Sequence, residues 1–339
     1  MSNFPLARNE RMYLQLEDSY GVIPNVGGAA TIAGSDACLF SKLVLTNTVP
    51  IIPRPDKTGS RSIGVGQVGR KGGTWSIEAS LAGSGAAGTP PDIDVLLHCI
   101  FGKAGTIVGG SSVTYNLEDA IPSFTVWSFR DPVTADQRVA HGCVVREASI
   151  ELGGDVAMIR ASGECQWVLG TSHFGSADSA MKGGLITFPN EPGNPTVAGN
   201  FAIGFTGAAS AGGTAIAELL TATINISTAN ETVKNTFGTF YPIGAEGDER
   251  VVSVDFRVHD SDAAVIAALK TNAISKTVLD MILQIGTVPG NIWTPTLNNV
   301  QLEYPEIEDS ERRWASSFRG CRATPTTLIS KDELVLAVT

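Results

Sequence analysis

The chain is short of charge. Asp, Glu, Lys and Arg make up 17% of its 339 residues, against about 25% in an ordinary soluble domain. Long exposed helices need Lys, Glu, Arg and Gln on their outer faces, so this composition argues against them. A weakly charged surface instead suits a subunit largely covered by its neighbours. Aromatic residues stand at 7% and do not interleave with basic residues, so a base-stacking surface for single-stranded nucleic acid is not expected. Basic residues are outnumbered 24 to 34, leaving a net charge of −10. An acidic chain does not grip DNA through its phosphates. It does let DNA pass without sticking, although modest acidity also serves plain solubility.

Chemistry-bearing patterns are missing as well. The four histidines, His98, His141, His173 and His259, share no metal-ligand spacing with each other or with the cysteines. The cysteines, Cys38, Cys99, Cys143, Cys165 and Cys321, are odd in number and form no CxxC. That pattern predicts a reducing compartment without a disulfide framework, and Cys99 and Cys165 are expected to be buried as small hydrophobes. There is no P-loop, HExxH or nucleophile elbow. Asp260 and Asp262 read as helix capping. Glu303, Glu306, Glu308, Asp309 and Glu311 lack the glycine turn and spacing of a calcium loop. No catalytic, cofactor-binding or metal-binding residue is assigned, and the chain reads as structural, not enzymatic. No apolar run approaches the roughly 20 residues that span a bilayer. Neither a signal peptide nor a membrane partner is expected.

What is present favours strands. Hydrophobic residues reach 43% and glycine counts 37. Apolar and polar residues alternate along 75–81 (Trp75, Ile77, Ala79, Leu81), 159–167 (Ile159, Ala161, Gly163, Cys165, Trp167) and 252–258 (Val252, Val254, Phe256, Val258). Weaker alternation predicts strands over 12–17, 42–48, 113–117, 124–129, 145–152, 221–227, 278–285 and 300–304. One-sided alternation implies antiparallel sheets with one face buried and one wet. Two helices are predicted. The first spans 91–101, with Thr89 as cap, Ile93, Leu96, Leu97 and Ile100 as its stripe, and Gly102 as its stop. The second spans 261–273, lined by Val265, Ile266, Leu269 and Ala273.

The fold class is therefore mainly β (α+β). A Gly/Pro/Asn-rich stretch at 190–196 reads as a linker and divides the chain into domains 1–189 and 190–339. Each half runs strand, long loop, strand, helix: 42–48, 50–73, 74–81 and the first helix, then 221–227, 228–249, 250–258 and the second. Sequence identity between the halves is negligible, so a duplication stands as a hypothesis beside chance repetition of a common order.

The loop 50–73 carries Arg54, Lys57, Arg61, Arg70 and Lys71 against the single acid Asp56. It reads either as an arm that docks on an acidic neighbouring subunit or as a solvated excursion. Its length favours the arm. Within it, Gly64, Gly66 and Gly69 match GxGxxG, but prolines precede the motif and a strand follows it. A dinucleotide site needs the reverse context, so these glycines are expected to keep an extended loop pliable.

Several segments together resemble one family. Leu14 to Pro24, with Glu17, Tyr20, Gly21 and Pro24, is similar to the E-x-x-Y-G-x-x-P opening of siphophage-type major tail tube proteins. The long loop, the strand at 73–81 and the helix ending in Ile100, Phe101 and Gly102 resemble their next segment. The hairpin 113–117 with 123–127, the strands 141–145 and 159–163, and the C-terminal 300–305 and 332–336 resemble the rest. The resemblance implies an antiparallel β-sandwich or partial barrel with flanking helices, here as two tandem tube-like domains. It implies rings of copies of the chain, six if each counts as one tube unit and three if each is duplicated, whose sheets join into a lumenal barrel. The long loop would stack ring on ring. DNA would pass through the lumen without specific binding. Tail terminator, tape measure and distal tail proteins would be partners, and the location would be the virion tail, assembled in the host cytoplasm. A capsid decoration protein or other virion surface protein is the alternative.

Overall fold

A computed structural model describes residues 10–24, 32–54, 65–130, 136–170, 202–261, 264–310 and 313–339. The first half contributes β1 (Arg11–Leu16), β2 (Ala37–Cys38), β3 (Lys42–Thr48), β4 (Ile51–Ile52), β5 (Gln67–Val68), β6 (Gly72–Ser80), α1 (Asp94–Phe101), β7 (Thr106–Val108), β8 (Ser112–Asn116), β9 (Phe124–Arg130), β10 (Asp136–Leu152), β11 (Met158–Cys165) and β12 (Trp167–Gly170). The second contributes β13 (Gly207–Ala211), β14 (Thr214–Ala215), β15 (Leu219–Ser227), β16 (Glu231–Thr232), β17 (Ala245–Glu246), β18 (Val251–His259), α2 (Ala264–Ser275), β19 (Leu279–Ile285), β20 (Trp293–Val300), β21 (Glu306–Ser310), β22 (Arg313–Ala323) and β23 (Leu334–Val338). The protein is mainly β, and every ladder is antiparallel.

Most predicted strands form where alternation places them. The stretch 159–167 breaks at Gln166, whose N–H donates to the His141 carbonyl at 3.0 Å; there the chain leaves β11 for β12. The predicted strand 300–304 does not form. Val300 ends β20, Gln301 keeps one isolated bridge to Arg322, and Pro305 removes the next donor. The helix at 91–101 starts at Asp94, and Thr89 does not cap it; no side chain caps its N-terminus. Gly102 ends it in the left-handed region (φ 77°), as expected of a C-terminal glycine. The second helix is described over Ala264–Ser275 and runs two residues past its predicted end. Asp260 binds Lys270 at 2.7 Å, while Asp262 lies outside the described residues, as do His173, Glu311 and the linker 190–196.

Twelve strands join one sheet through the 17-residue β10. Its first part pairs with β9 and β12, its second with β11 and β15. The register shifts between Ala140 and Cys143, and Gly142 turns the strand with φ 62°. A Cβ there would be strained and would meet Gln166 Cβ at 2.8 Å. The result is a continuous run of eight strands, β3-β6-β11-β10-β15-β18-β22-β21, with β2-β1-β9-β10-β12 branching from it. A second sheet runs β14-β13-β19-β20-β23-β8-β7.

The two halves repeat this order. In the eight-strand run, β3-β6-β11-β10 is followed by β15-β18-β22-β21, and each set visits its positions in the same chain order. The branch β2-β1-β9-β10-β12 has its counterpart in β14-β13-β19-β20-β23. Even the short ladders β4–β5 and β16–β17 match, each lying between the first two strands of its set. One constant shift in residue number carries Leu43↔Ile77 and Leu45↔Trp75 onto Ala222↔Phe256 and Ile224↔Val254. The single strand β10 corresponds to β20 and β21 together, with the break at 301–305 standing where Gly142 bends. Among the described strands, the hairpin β7–β8 has no counterpart. It crosses to the other half and pairs with β23 (Val113↔Val338, Tyr115↔Leu336).

Inward residues of both sheets and both helices form one hydrophobic cluster, among them Trp75, Phe124, Ile224, Phe256, Trp293 and Leu336. Trp75 Nε1 is shared between the Val144 and Glu164 carbonyls, each at 3.1 Å, so its polar end is satisfied where its ring is buried. The branch departs from the one-wet-face expectation. Tyr13, Trp127, Val139 and Leu169 form a second cluster covered by Ile23 and Ile32, so β9 is buried on both faces.

Candidate assembly surfaces

The loop 50–73 is not a simple extended arm. Ile51 and Ile52 pair with Val68 and Gln67, and the Gly69 N–H donates to the Pro50 carbonyl at 2.7 Å. A Cβ on Gly66 would meet Ile51 Cγ2 at 2.4 Å and the Ile52 oxygen at 2.7 Å. The glycine pattern therefore serves close approach of two strands rather than pliability. Gly64 lies outside the described residues, as do Lys57, Arg61 and Asp56. Arg54 is exposed two residues past β4.

Arg70 and Lys71 turn to their own chain. Arg70 Nη1 donates to the Lys234 carbonyl and, at 3.1 Å, to Asn235 Oδ1. The Lys71 N–H donates to the Phe240 carbonyl at 2.7 Å. Its ammonium sits 5.5 Å from the Trp167 ring centre and 5.3 Å from that of Tyr241, within cation–π range. The two rings meet edge to face at 5.5 Å. Two of the five basic residues thus brace the first long loop against the second, 228–249.

Glu164 fastens that second loop to β11. It accepts from the Thr232 N–H at 2.9 Å, from the Thr232 hydroxyl and from Lys234 Nζ at 2.6 Å. Burial alone would raise its carboxyl, but these bonds outweigh it and hold the carboxyl below the ordinary value. The braced pair of loops exposes apolar side chains: Ile51, Ile52 and Val68 on one, Phe237, Phe240 and Ile243 on the other. Phe237 is fully exposed. Sequence reasoning on charge missed this apolar set. Two phenylalanines in a Gly/Pro-containing loop were the available signal, since exposed aromatics mark contact sites.

The outward face of the eight-strand run is polar and low. Thr74, Ser76, Ser149, Ser162, Thr223 and Ser253 lie along it, none of them buried. Three of its arginines are matched by carboxylates within the sheet. Arg160 bridges Glu78 (3.3 Å) and Glu151; Arg257 binds Glu308 at 3.1 Å; Arg319 reaches Glu308 at 3.0 Å. A phosphate chain laid on this face meets hydroxyls and neutralised pairs.

The E-x-x-Y-G segment has a structural use. Glu17 accepts from the Gly21 N–H (2.8 Å), the Ser123 hydroxyl (2.7 Å), the Thr125 hydroxyl (2.8 Å) and the Gly142 N–H (2.7 Å). The carboxylate clasps β9 to the bend of β10. Burial pushes its carboxyl above the ordinary value, against the opposing pull of these bonds.

All five cysteines are buried and unpaired in disulfides. Among the described residues no group of three or more His, Cys, Asp or Glu side chains is placed to hold a metal ion, and no helix is long and apolar enough to cross a membrane. No family model matches the chain, and no curated protein matches it.

Proposed function

We propose that the chain is the structural subunit of a phage tail tube of the siphophage type, self-assembling into stacked rings whose lumen conducts DNA during ejection. The observation that carries this reading is the eight-strand run, with its core on one face and a hydroxyl-rich, internally neutralised face on the other. Turned inward in a ring, that face gives DNA a wall with short side chains and few free cations. The repeated strand order supports two tandem tube-like domains, 1–189 and 190–339, each an antiparallel sandwich or partial barrel with a flanking helix. A ring of three copies then presents six tube units. The braced loops, with their exposed apolar side chains, are the contact from ring to ring, and the sequence adds the basic residues Arg54, Lys57 and Arg61 to the first of them. The role is structural and needs no catalytic group or cofactor. By family resemblance the tube ends on tail terminator and distal tail proteins and encloses a tape measure.

Electron microscopy of the purified protein tests the reading. Hollow tubes with a regular axial repeat are expected. Isolated compact particles that decorate capsids would favour a surface protein and overturn it.

A further inference from the structure

Among the described residues, the eight-strand run ends in two strands, β3 and β21, that each have one hydrogen-bonded strand neighbour, β6 and β22 respectively. Bare edges of one sheet are templates for another chain. The repeat identifies which edge meets which. Inside the chain, the second part of β10 pairs with β15 across the boundary between halves: Ser149↔Asn225, Ile150↔Ile224 and Glu151↔Thr223. By strand order β15 occupies the place of β3, and β21 occupies the place of β10. We propose that β21 of one copy pairs antiparallel with β3 of the next copy, in the register that β10 and β15 already use. The proposal rests on the self-assembly reading above.

The ladders fix that register. Ile77 faces Ala161 as Phe256 faces Phe318, so Ser317 stands for Arg160. Arg160 faces Ser149, and Ser317 faces Glu306. Glu306, Ile307 and Glu308 therefore stand for Ser149, Ile150 and Glu151. On the other edge, Thr46, Leu45 and Val44 stand for Asn225, Ile224 and Thr223. The contact is Glu306↔Thr46, Ile307↔Leu45 and Glu308↔Val44.

Two properties of the edges agree with it. Ile150 and Ile224 are fully buried at the internal junction, whereas Ile307 is 55% exposed; pairing with Leu45 covers it. The edges are also opposite in charge. β21 carries Glu306, Glu308 and Asp309, and β3 carries only Lys42, which falls two residues from the partner of Glu308, within reach of a diagonal cross-strand pair. Two β21 edges together would set carboxylates against each other, which disfavours a two-fold dimer. Head-to-tail pairing of unlike edges is the geometry that closes into rings.

Opposed residues of an antiparallel pair stand about 4.5–5.5 Å apart at Cα, which a disulfide spans. The test is oxidation of assembled V44C/E308C protein, with T46C/E306C as a second in-register pair that keeps Glu308 and its arginine partners. Both should give a ladder of cross-linked copies on non-reducing gels, at least about fivefold above the out-of-register pair T46C/E308C. The last band counts the ring, and three is expected. A ladder ending at six supports the pairing and overturns the ring size. Tubes that form without cross-linking in either pair overturn the pairing and leave the tube reading intact. A V44C dimer in the single variant overturns it in favour of like edges. Wild-type protein that stays monomeric overturns both readings.

Discussion

Glu17 and Glu164 are two buried or half-buried carboxylates that burial pushes the same way, yet on balance Glu17 lies above its ordinary value and Glu164, held by Lys234 and Thr232, below it. Glu17 is an acceptor for four donors, two of them backbone N–H groups at bends where no side chain can substitute. Glu17→Ala leaves the two backbone N–H groups without their acceptor, and each such loss costs about 1–3 kcal/mol. A total of about 3 kcal/mol is expected, read as a lower urea midpoint at unchanged slope. Glu164 is held below its ordinary value of 4.5. A carboxyl depressed in the fold contributes stability that is complete above the unfolded value and is lost as pH falls through the folded one. The second loop should therefore stay fastened at neutral pH and loosen only below pH 4.5. Fluorescence of Trp167, which meets Tyr241 of that loop edge to face, should change with acidification. In Glu164→Gln the changed signal should already be present at pH 7.

The long loops and β10 show how elements acquire roles that their own sequence does not announce. The first loop is tied down through Arg70 and Lys71, so two of its basic residues serve an internal brace. The apolar side chains of the two loops are exposed and carry little of the fold, so changing them should leave the subunit intact. The variants Ile51→Ser with Ile52→Ser, and Phe237→Ser with Phe240→Ser, should keep the wild-type circular dichroism and stability within about 0.5 kcal/mol, as surface substitutions do. Each should abolish tubes or shorten them severely. Tubes of normal length from both variants would remove the loops from the ring-to-ring contact. Lys71→Met keeps the apolar stem but loses the cation over two rings, worth about 1 kcal/mol. It should loosen the brace and raise hydrogen exchange at the Phe240–Lys71 bond.

At the scale of the molecule, the net charge of −10 and the matched arginines of the outward face act together. Non-specific DNA affinity grows with the number of phosphates neutralised and falls steeply with salt. Three arginines already occupied by carboxylates supply little of that drive. Duplex DNA should show no tight complex with the protein at about 0.15 M salt in a mobility-shift assay, and no steep salt slope below it. Neutralising the acidic partners should create what the wild type lacks. E78Q/E151Q, which frees Arg160, should produce measurable salt-sensitive retention.

Period-two alternation determined much of this protein without help from tertiary structure. Residues 75–81 and 252–258 had one side to bury, and 42–48 coincides with β3, because a strand shows its two faces directly in its sequence. The apolar stripes of both helices and the stop at Gly102 were legible for the same local reason. The strand 300–304 was misread because alternation says nothing about where a chain must change sheets; the bend of β10 at Gly142 and the break before Pro305 are answers to the same corner. The full burial of β9 was also invisible, since Trp127 and Tyr13 are covered by Ile23 and Ile32 from a segment without alternation. The candidate surfaces divide likewise. The sequence marked 50–73 by its charge, yet Arg70 and Lys71 find their partners more than 160 residues away. The matched arginines and the two sheet edges depend on which strands lie side by side. Neighbourhood across strands is set by the packing of the whole chain, and a local pattern does not encode it.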